Sequence, residues 1–218
     1  SVKNLTTTDN ETITLYAVWQ INQYTITFAN TGDTTITPIK QDYGTDVIAP
    51  ANPTRTGYTF AGWDKEIPET MPAEDVTIKA KWTINQYAIT FNTDGGSDVA
   101  AITQDYGTAV TAPANPTKTG YTFAGWDGEL ASTMPASDLT YAATWTANTD
   151  TEFTVEHYIQ NANDDEYSLF DIITAYGTTD SLVNGAGYKQ GFDQAIFEKA
   201  DRANVAADGS TVIRVYYT

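Results

Sequence analysis

Sliding the chain against itself by 63 residues, without a gap, brings Tyr24 onto Tyr87, Trp63 onto Trp126 and Trp82 onto Trp145. About six positions in ten are identical at that offset, which chance does not produce, and a fixed period of this length means tandem structural units. The same offset carries Glu11–Trp19 onto Glu74–Trp82 and Ile21–Tyr24 onto Ile84–Tyr87. Residues 1–20 therefore read as the C-terminal strand of a preceding repeat, and the natural protein is expected to extend further toward its N-terminus. Residues 21–83 are repeat module 1 and 84–148 repeat module 2. The register stops near Asn148, and 149–218 form a third, divergent module of about the same size.

Inside a repeat the pattern is that of half-buried strands. Tyr24, Ile26 and Phe28 alternate with Thr25 and Thr27, and Val76, Ile78, Ala80 and Trp82 alternate with Thr77, Lys79 and Lys81. Asp42–Thr45 and Gly57–Trp63 supply two further strands, with glycines at turns or bulges. Ala49–Pro53 is the one candidate for a helical turn, since its prolines exclude a strand interior. Each unit is thus expected to be a four-stranded sheet with one small crossover element, a strand-dominated α+β arrangement. Thr83–Gln86 spans at most about 13 Å between strands, so neighbouring modules should touch and the array should be an elongated rod. In the third module Phe153, Val155, His157 and Ile159 share one strand face. Tyr167–Tyr176 reads as a second strand, Ser181–Lys189 as a loop or short helix, and Thr211–Tyr217 as the closing strand.

Charge and residue usage remove several functions. The chain carries 28 Asp and Glu against 11 Lys and Arg, a formal net charge of −17 that repels phosphate backbones and anionic lipid. Nucleic acid is excluded as a partner. No stretch is apolar for long enough to insert into a membrane, and Ser1–Asn10 does not have the pattern of a signal peptide. With no cysteine there is no disulfide framework, thiolate nucleophile or cysteine-bound zinc.

Each chemistry-bearing residue also has a structural reading. His157 is the only histidine and alternates with core positions, so it reads as a structural or edge histidine. Asp64 with Glu66, and Asp127 with Glu129, have the residue types of a glycosidase acid and base pair, but they recur with the repeat and read as a solvated face. Asn92–Asp98 and Asn161–Glu166 gather oxygen ligands of the kind calcium takes. Neither has the spacing of a closing-glutamate loop, and Ala29–Asp33 at the matching place in repeat 1 differs, so no metal or other cofactor is assigned. Trp63, Trp126, Trp19, Trp82 and Trp145 read as core for small units that lack apolar area rather than as a sugar platform. Lys40, Lys79 and Lys189 are of the type that forms isopeptide cross-links with asparagine, but nothing selects a pair. No catalytic residue is assigned, and no ligand-binding residue can be named.

Three segments occur twice and in the same order: Tyr-x-Ile-Thr-Phe, Ala-Pro-x-Asn-Pro-Thr-x-Thr-Gly-Tyr-Thr-Phe-Ala-Gly-Trp-Asp, and Thr-Met-Pro-Ala-x-Asp-x-Thr-x-x-Ala-x-Trp. Residues 11–147 thereby resemble the Listeria–Bacteroides repeat, the internalin B-type repeat. Residues 149–218, with Thr154–Tyr158, Gly191–Phe192 and Ala207–Tyr217, are similar to the modules that accompany such repeats and to mucin-binding-protein domains. The resemblance implies β-grasp folds and an extracellular, cell-wall-anchored protein of Gram-positive bacteria. It implies a non-enzymatic stalk that displays an adhesive domain or, as the alternative, an adhesin in which residues 151–218 bind host glycoprotein, mucin or glycan. A monomer in solution is expected, with residues 11–19 free to pair as an edge strand.

Overall fold

The computed structural model describes Thr12 and residues 14–218. These divide into one unit ending at Asn85 and a second spanning Gln86–Thr218.

In the first unit Gln23–Ala29 (β1), Ile39–Asp42 (β2), Tyr58–Trp63 (β3) and Val76–Ile84 (β4) form a sheet of order β2-β1-β4-β3. The central pair, β1 with β4, is parallel, with Ile26 opposite Val76 and Phe28 opposite Ile78; the outer pairs are antiparallel. The alternation in β1 puts Ile26 and Phe28 on the covered face, where Met71 and Ile78 complete the buried cluster and Trp63 packs against it. Asp42 is the last residue of β2, and Tyr43–Gly44 is a turn, with Gly44 at φ +78. The strand expected at Asp42–Thr45 therefore lies earlier, because the glycine sets the end rather than the middle of the element. The expected helical turn at Ala49–Pro53 is overturned: these residues have no regular structure. Ala49 and Asn52 each precede a proline, whose ring disfavours the helical conformation of the residue before it.

The second unit begins with the same design. Gln86–Asn92 (β5), Ile102–Asp105 (β6), Tyr121–Trp126 (β7) and Leu139–Ala147 (β8) pair in the order β6-β5-β8-β7, in equivalent register. Ile89, Met134 and Tyr141 form its buried cluster. Tyr141 stands where repeat 1 has Ile78, and the repeat satisfies the added hydroxyl: it donates to Glu129 O at 3.1 Å and accepts from Ala131 N at 3.1 Å.

The third sheet, in the same unit, contains Thr151–Gln160 (β9), Tyr167–Gly177 (β10), Phe197–Ala200 (β12) and Val212–Tyr217 (β14) in the order β10-β9-β14-β12. Its first and last strands are again the parallel central pair. A two-stranded ribbon of Leu182–Asn184 (β11) and Arg202–Asn204 (β13), with a 3-10 helix at Gly185–Tyr188, is added to this design. The buried cluster is larger, with Phe153, Val155, Ala175, Val205, Ile213, Val215 and Tyr217. Among the described residues this 3-10 helix is the only helix, so the expected strand dominance holds while an α-helical component does not appear. The segment Ser181–Lys189, expected as a loop or short helix, holds a short strand followed by the 3-10 helix, and neither β12 nor β13 was anticipated.

Candidate functional site

The tryptophans serve the repeats themselves. Trp63 lies 5.1 Å from Phe28 and 5.2 Å from Phe60, and Phe60 is 5.6 Å from Trp82. Repeat 2 reproduces the chain with Phe91, Trp126, Phe123 and Trp145. The indole N–H of Trp82 donates to Asn30 O at 2.8 Å and that of Trp145 to Thr93 O at 3.0 Å, so each ring also closes the loop after its first strand. A side chain at Gly96 would enter the Trp145 ring, its Cβ 2.5 Å from the nearest ring atom. Trp19 differs: it is 89% exposed, and residues 14–22 have no sheet partner, with Leu15, Tyr16 and Val18 exposed beside it. Of the segment 11–19 proposed for edge pairing, Glu11 and Ile13 lie outside the described residues.

The recurring carboxylates bind backbone. Asp64 Oδ1 accepts from Lys79 N at 2.6 Å, and Asp127 Oδ1 from Ala142 N at 2.9 Å. Each clamps the strand end beyond a bulge, while Glu66 and Glu129 are exposed beside them. Asp75 and Asp138 accept from Thr25 N and Ala88 N, which ties the start of the last strand to the first. Asp33 accepts from both the backbone and hydroxyl of Thr56, and those bonds hold its carboxyl below the usual range.

The two oxygen-rich loops are likewise engaged internally. Asn92 Oδ1 accepts from Asp94 N at 3.1 Å, and Asp94 pairs with Lys118 at 3.6 Å. Asp164 Oδ1 accepts from Asn161 Nδ2 at 2.8 Å and from Glu166 N at 3.0 Å, closing the β9–β10 hairpin. Among the described residues no three carboxylates or histidines gather into a metal site. Lys40, Lys79 and Lys189 are exposed.

His157 sits on a central strand, fully buried, so the edge alternative is removed. Gln190 N–H donates to the Tyr217 hydroxyl at 2.8 Å, which leaves the hydroxyl hydrogen for His157 Nδ1 at 3.1 Å. The proton of the neutral ring is then on Nε2, which has no partner. Burial pushes the imidazole pKa down, opposed by the Asp171 carboxylate on the neighbouring strand.

Two features of the third sheet were not found from sequence. On its outer face Tyr158 stacks on Tyr216 at 5.5 Å, Tyr167 meets Tyr216 edge-on at 5.1 Å, and Lys199 Nζ lies 5.2 Å from the Tyr167 and Tyr216 rings. The Tyr167 hydroxyl donates to Glu198, which pushes its pKa up to about 12. Arg214 Nε pairs with Glu156 at 3.2 Å on the same face. At the junction with repeat 2, Thr179 N donates to Asn148 O at 2.9 Å and Thr179 Oγ1 to Gly120 O at 2.8 Å. The Thr151 hydroxyl donates in turn to Thr179 at 2.6 Å. Gly120, at φ +76, admits Ala207 so closely that a Cβ there would lie 2.7 Å from that residue's own. The signal for both lay in long-range pairings, such as Tyr158 with Tyr216 and Gly120 with Thr179, which local patterning does not carry.

These sheets, with their shared strand order and duplicated hydrogen bonds, define a tandem-repeat protein built from small strand-dominated modules. The Listeria-Bacteroides repeat domain matches residues 24–81 and 87–157, more than half of the chain, and the protein belongs to that family. It is 38% identical over 127 residues to a putative membrane protein of Evansella cellulosilytica, covering 55% of this chain and 19% of that protein. It is 32% identical over 154 residues to a putative Gly-rich membrane protein of the same organism, with coverage of 63% and 18%. Internalin H of Listeria monocytogenes is 40% identical over 117 residues, with coverage of 45% and 21%. The chain thus spans about a fifth of the length of the curated relatives it matches. Streptococcal High Identity Repeats in Tandem domains 3-4 of a cell surface protein align at 20% identity over 58% of this chain and 98% of that one. The TM-score of 0.23 is too low to carry an argument. Among the described residues no helix is long and apolar enough to cross a membrane.

Proposed function

We propose that this chain is a non-enzymatic, extracellular spacer of a bacterial surface protein, in which repeat modules 21–83 and 84–148 hold the module at 149–218 away from the cell wall. Residues 1–20 then belong to a further copy of the repeat. The observation that carries the reading is a repeat end built twice in the same way. Asn85 N donates to Gly57 O at 3.0 Å and the Thr59 hydroxyl to Asn85 Oδ1 at 2.6 Å; Asn148 N donates to Gly120 O at 2.9 Å and the Thr122 hydroxyl to Asn148 Oδ1 at 2.8 Å. A residue held by backbone and side chain at the end of each repeat closes each copy in the same way, as identical units of a spacer require. Relatives named as an internalin and as putative membrane proteins agree with a surface location. The sheet order, with its parallel central pair, supports a β-grasp reading in which coil replaces the crossing helix. Small-angle scattering of the monomeric chain is expected to give an extended particle; a compact or freely jointed one removes the spacer reading.

A second reading is supported by one observation, the exposed apolar residues along β10, and takes residues 151–218 as an adhesive module of mucin-binding type. Saturable binding of the chain to immobilised mucin or to a glycan array is then expected, and blanks on both remove it.

A further inference from the structure

β10 is 11 residues long and pairs on one side only, with β9. The other outer strands of the three sheets are short: β2, β6 and β12 have four residues each, and β3 and β7 have six with a bulge. A long unpaired edge offers a row of N–H and C=O groups to another chain, and natural sheets blunt such edges with lysine, proline or brevity. β10 has neither residue. Apart from the bulge between Leu169 and Asp171, its outer side is continuous. Leu169, Ile172 and Tyr176 stand opposite Tyr158, Glu156 and Glu152 of β9 and are 48%, 54% and 60% exposed. Strand edge and apolar row coincide.

The surrounding charge is predominantly negative, with Lys199 over the Tyr167 ring at the start of the strand as an exception. Residues 149–188 contain eight Asp and Glu and no Lys or Arg. Arg214 reaches across from β14 to Glu156, but Glu152 and the hairpin carboxylates Asp165 and Glu166 are exposed. A second copy of this chain, itself at −17, meets repulsion at this edge, whereas a cationic segment is attracted.

We propose that the outer edge of β10 is a docking site for an extended, lysine- or arginine-bearing polypeptide segment, which adds to the sheet as a fifth strand. Backbone hydrogen bonds supply the pairing. Alternate side chains of the guest lie beside Leu169, Ile172 and Tyr176, and its cations meet the carboxylates of the hairpin. This inference deepens the adhesive reading of residues 151–218 and rests on it, while naming a polypeptide rather than a glycan as the ligand.

The test titrates the whole 15N-labelled chain with a short peptide of alternating threonine and valine flanked by lysines, and with the same peptide flanked by glutamates. The lysine peptide is expected to give saturable amide shifts confined to β9 and β10 and to slow hydrogen exchange in β10. The glutamate peptide should bind about tenfold more weakly, and binding of the lysine peptide should weaken as salt screens the charges. Ile172→Lys should weaken it by about tenfold, while Ile48→Lys, at a more exposed isoleucine of repeat 1, should not alter it. If Ile172→Lys does not fold, the comparison of the two peptides on the unaltered chain still decides. Equal binding of both peptides, no binding, or shifts in the repeats overturns the proposal. So does protection of β10 that rises with protein concentration alone, which makes a second copy the occupant. Mucin or glycan binding that survives while the peptide fails removes the edge and leaves the adhesive reading standing.

Discussion

The repeat sheets and the third sheet share one strand order and cover it differently. In a repeat the covered face is closed by a loop that brings in one methionine, Met71 or Met134, each 1% exposed. In the third module the ribbon of β11 and β13 and the 3-10 helix lie over the sheet, and Val205 and Tyr188 join the cluster. The difference shows how one topology gives two kinds of surface: short, bulged edges with the apolar area turned inward, or a larger core with one long edge left open. A stalk unit needs the first, since exposed edges on a row of copies invite lateral pairing.

The contrast can be probed because all five tryptophans precede residue 149 and the third module has none. Phe153→Ala should have the largest effect, destabilising the third module by about 3–5 kcal/mol, since Phe153 is fully buried at the centre of its cluster. In urea the amides of β9 and β14 should lose protection earlier while the tryptophan-reported transition stays in place; a common shift would show that the two sheet types unfold together. Met71→Ala should cost about 2–5 kcal/mol and move the tryptophan signal instead.

Thr179→Val should cost about 1–2 kcal/mol, because the isosteric methyl forfeits the bonds to Gly120 O and Thr151 at the joint. Hydrogen exchange at Asn148 and Thr151 should quicken, and unchanged exchange would show that the joint holds without them. The smallest effect is on pH dependence. His157 has a folded pKa below its ordinary value of about 6.5, so the unfolded chain takes up the proton first. The contribution is intact above about pH 6.5 and is lost as pH falls through that value toward the folded pKa. His157→Leu should flatten the stability profile in this window. Asp33 and Asp208, both held low by hydrogen bonds, act in a separate window below their ordinary value of 3.8, where their contribution is lost as they protonate.

Period-two patterning announced β1, β4, β9, β10 and β14 because each is half-buried and carries its own alternation of β-branched and aromatic residues with polar ones. The repeat announced the equivalence of the first two sheets, but it gave Asp64 and Asp127 only as a solvated face; their bonds to Lys79 N and Ala142 N join residues 15 apart and needed the folded sheet. β12 and β13, with the sequences FEKA and RAN, have no such pattern; they are strands because β14 and β11 lie beside them. The parallel central pairing joins residues 50 apart in repeat 1 and 58 apart in the third sheet, as Ile26 with Val76 and Thr154 with Val212 show. The orphaned Nε2 of His157 and the open edge of β10 depend on the same long-range pairing. Local alternation is a property of neighbouring residues, so it survives in a string of letters. Which strand becomes an edge is decided by what packs beside it, and only the folded chain supplies that neighbour.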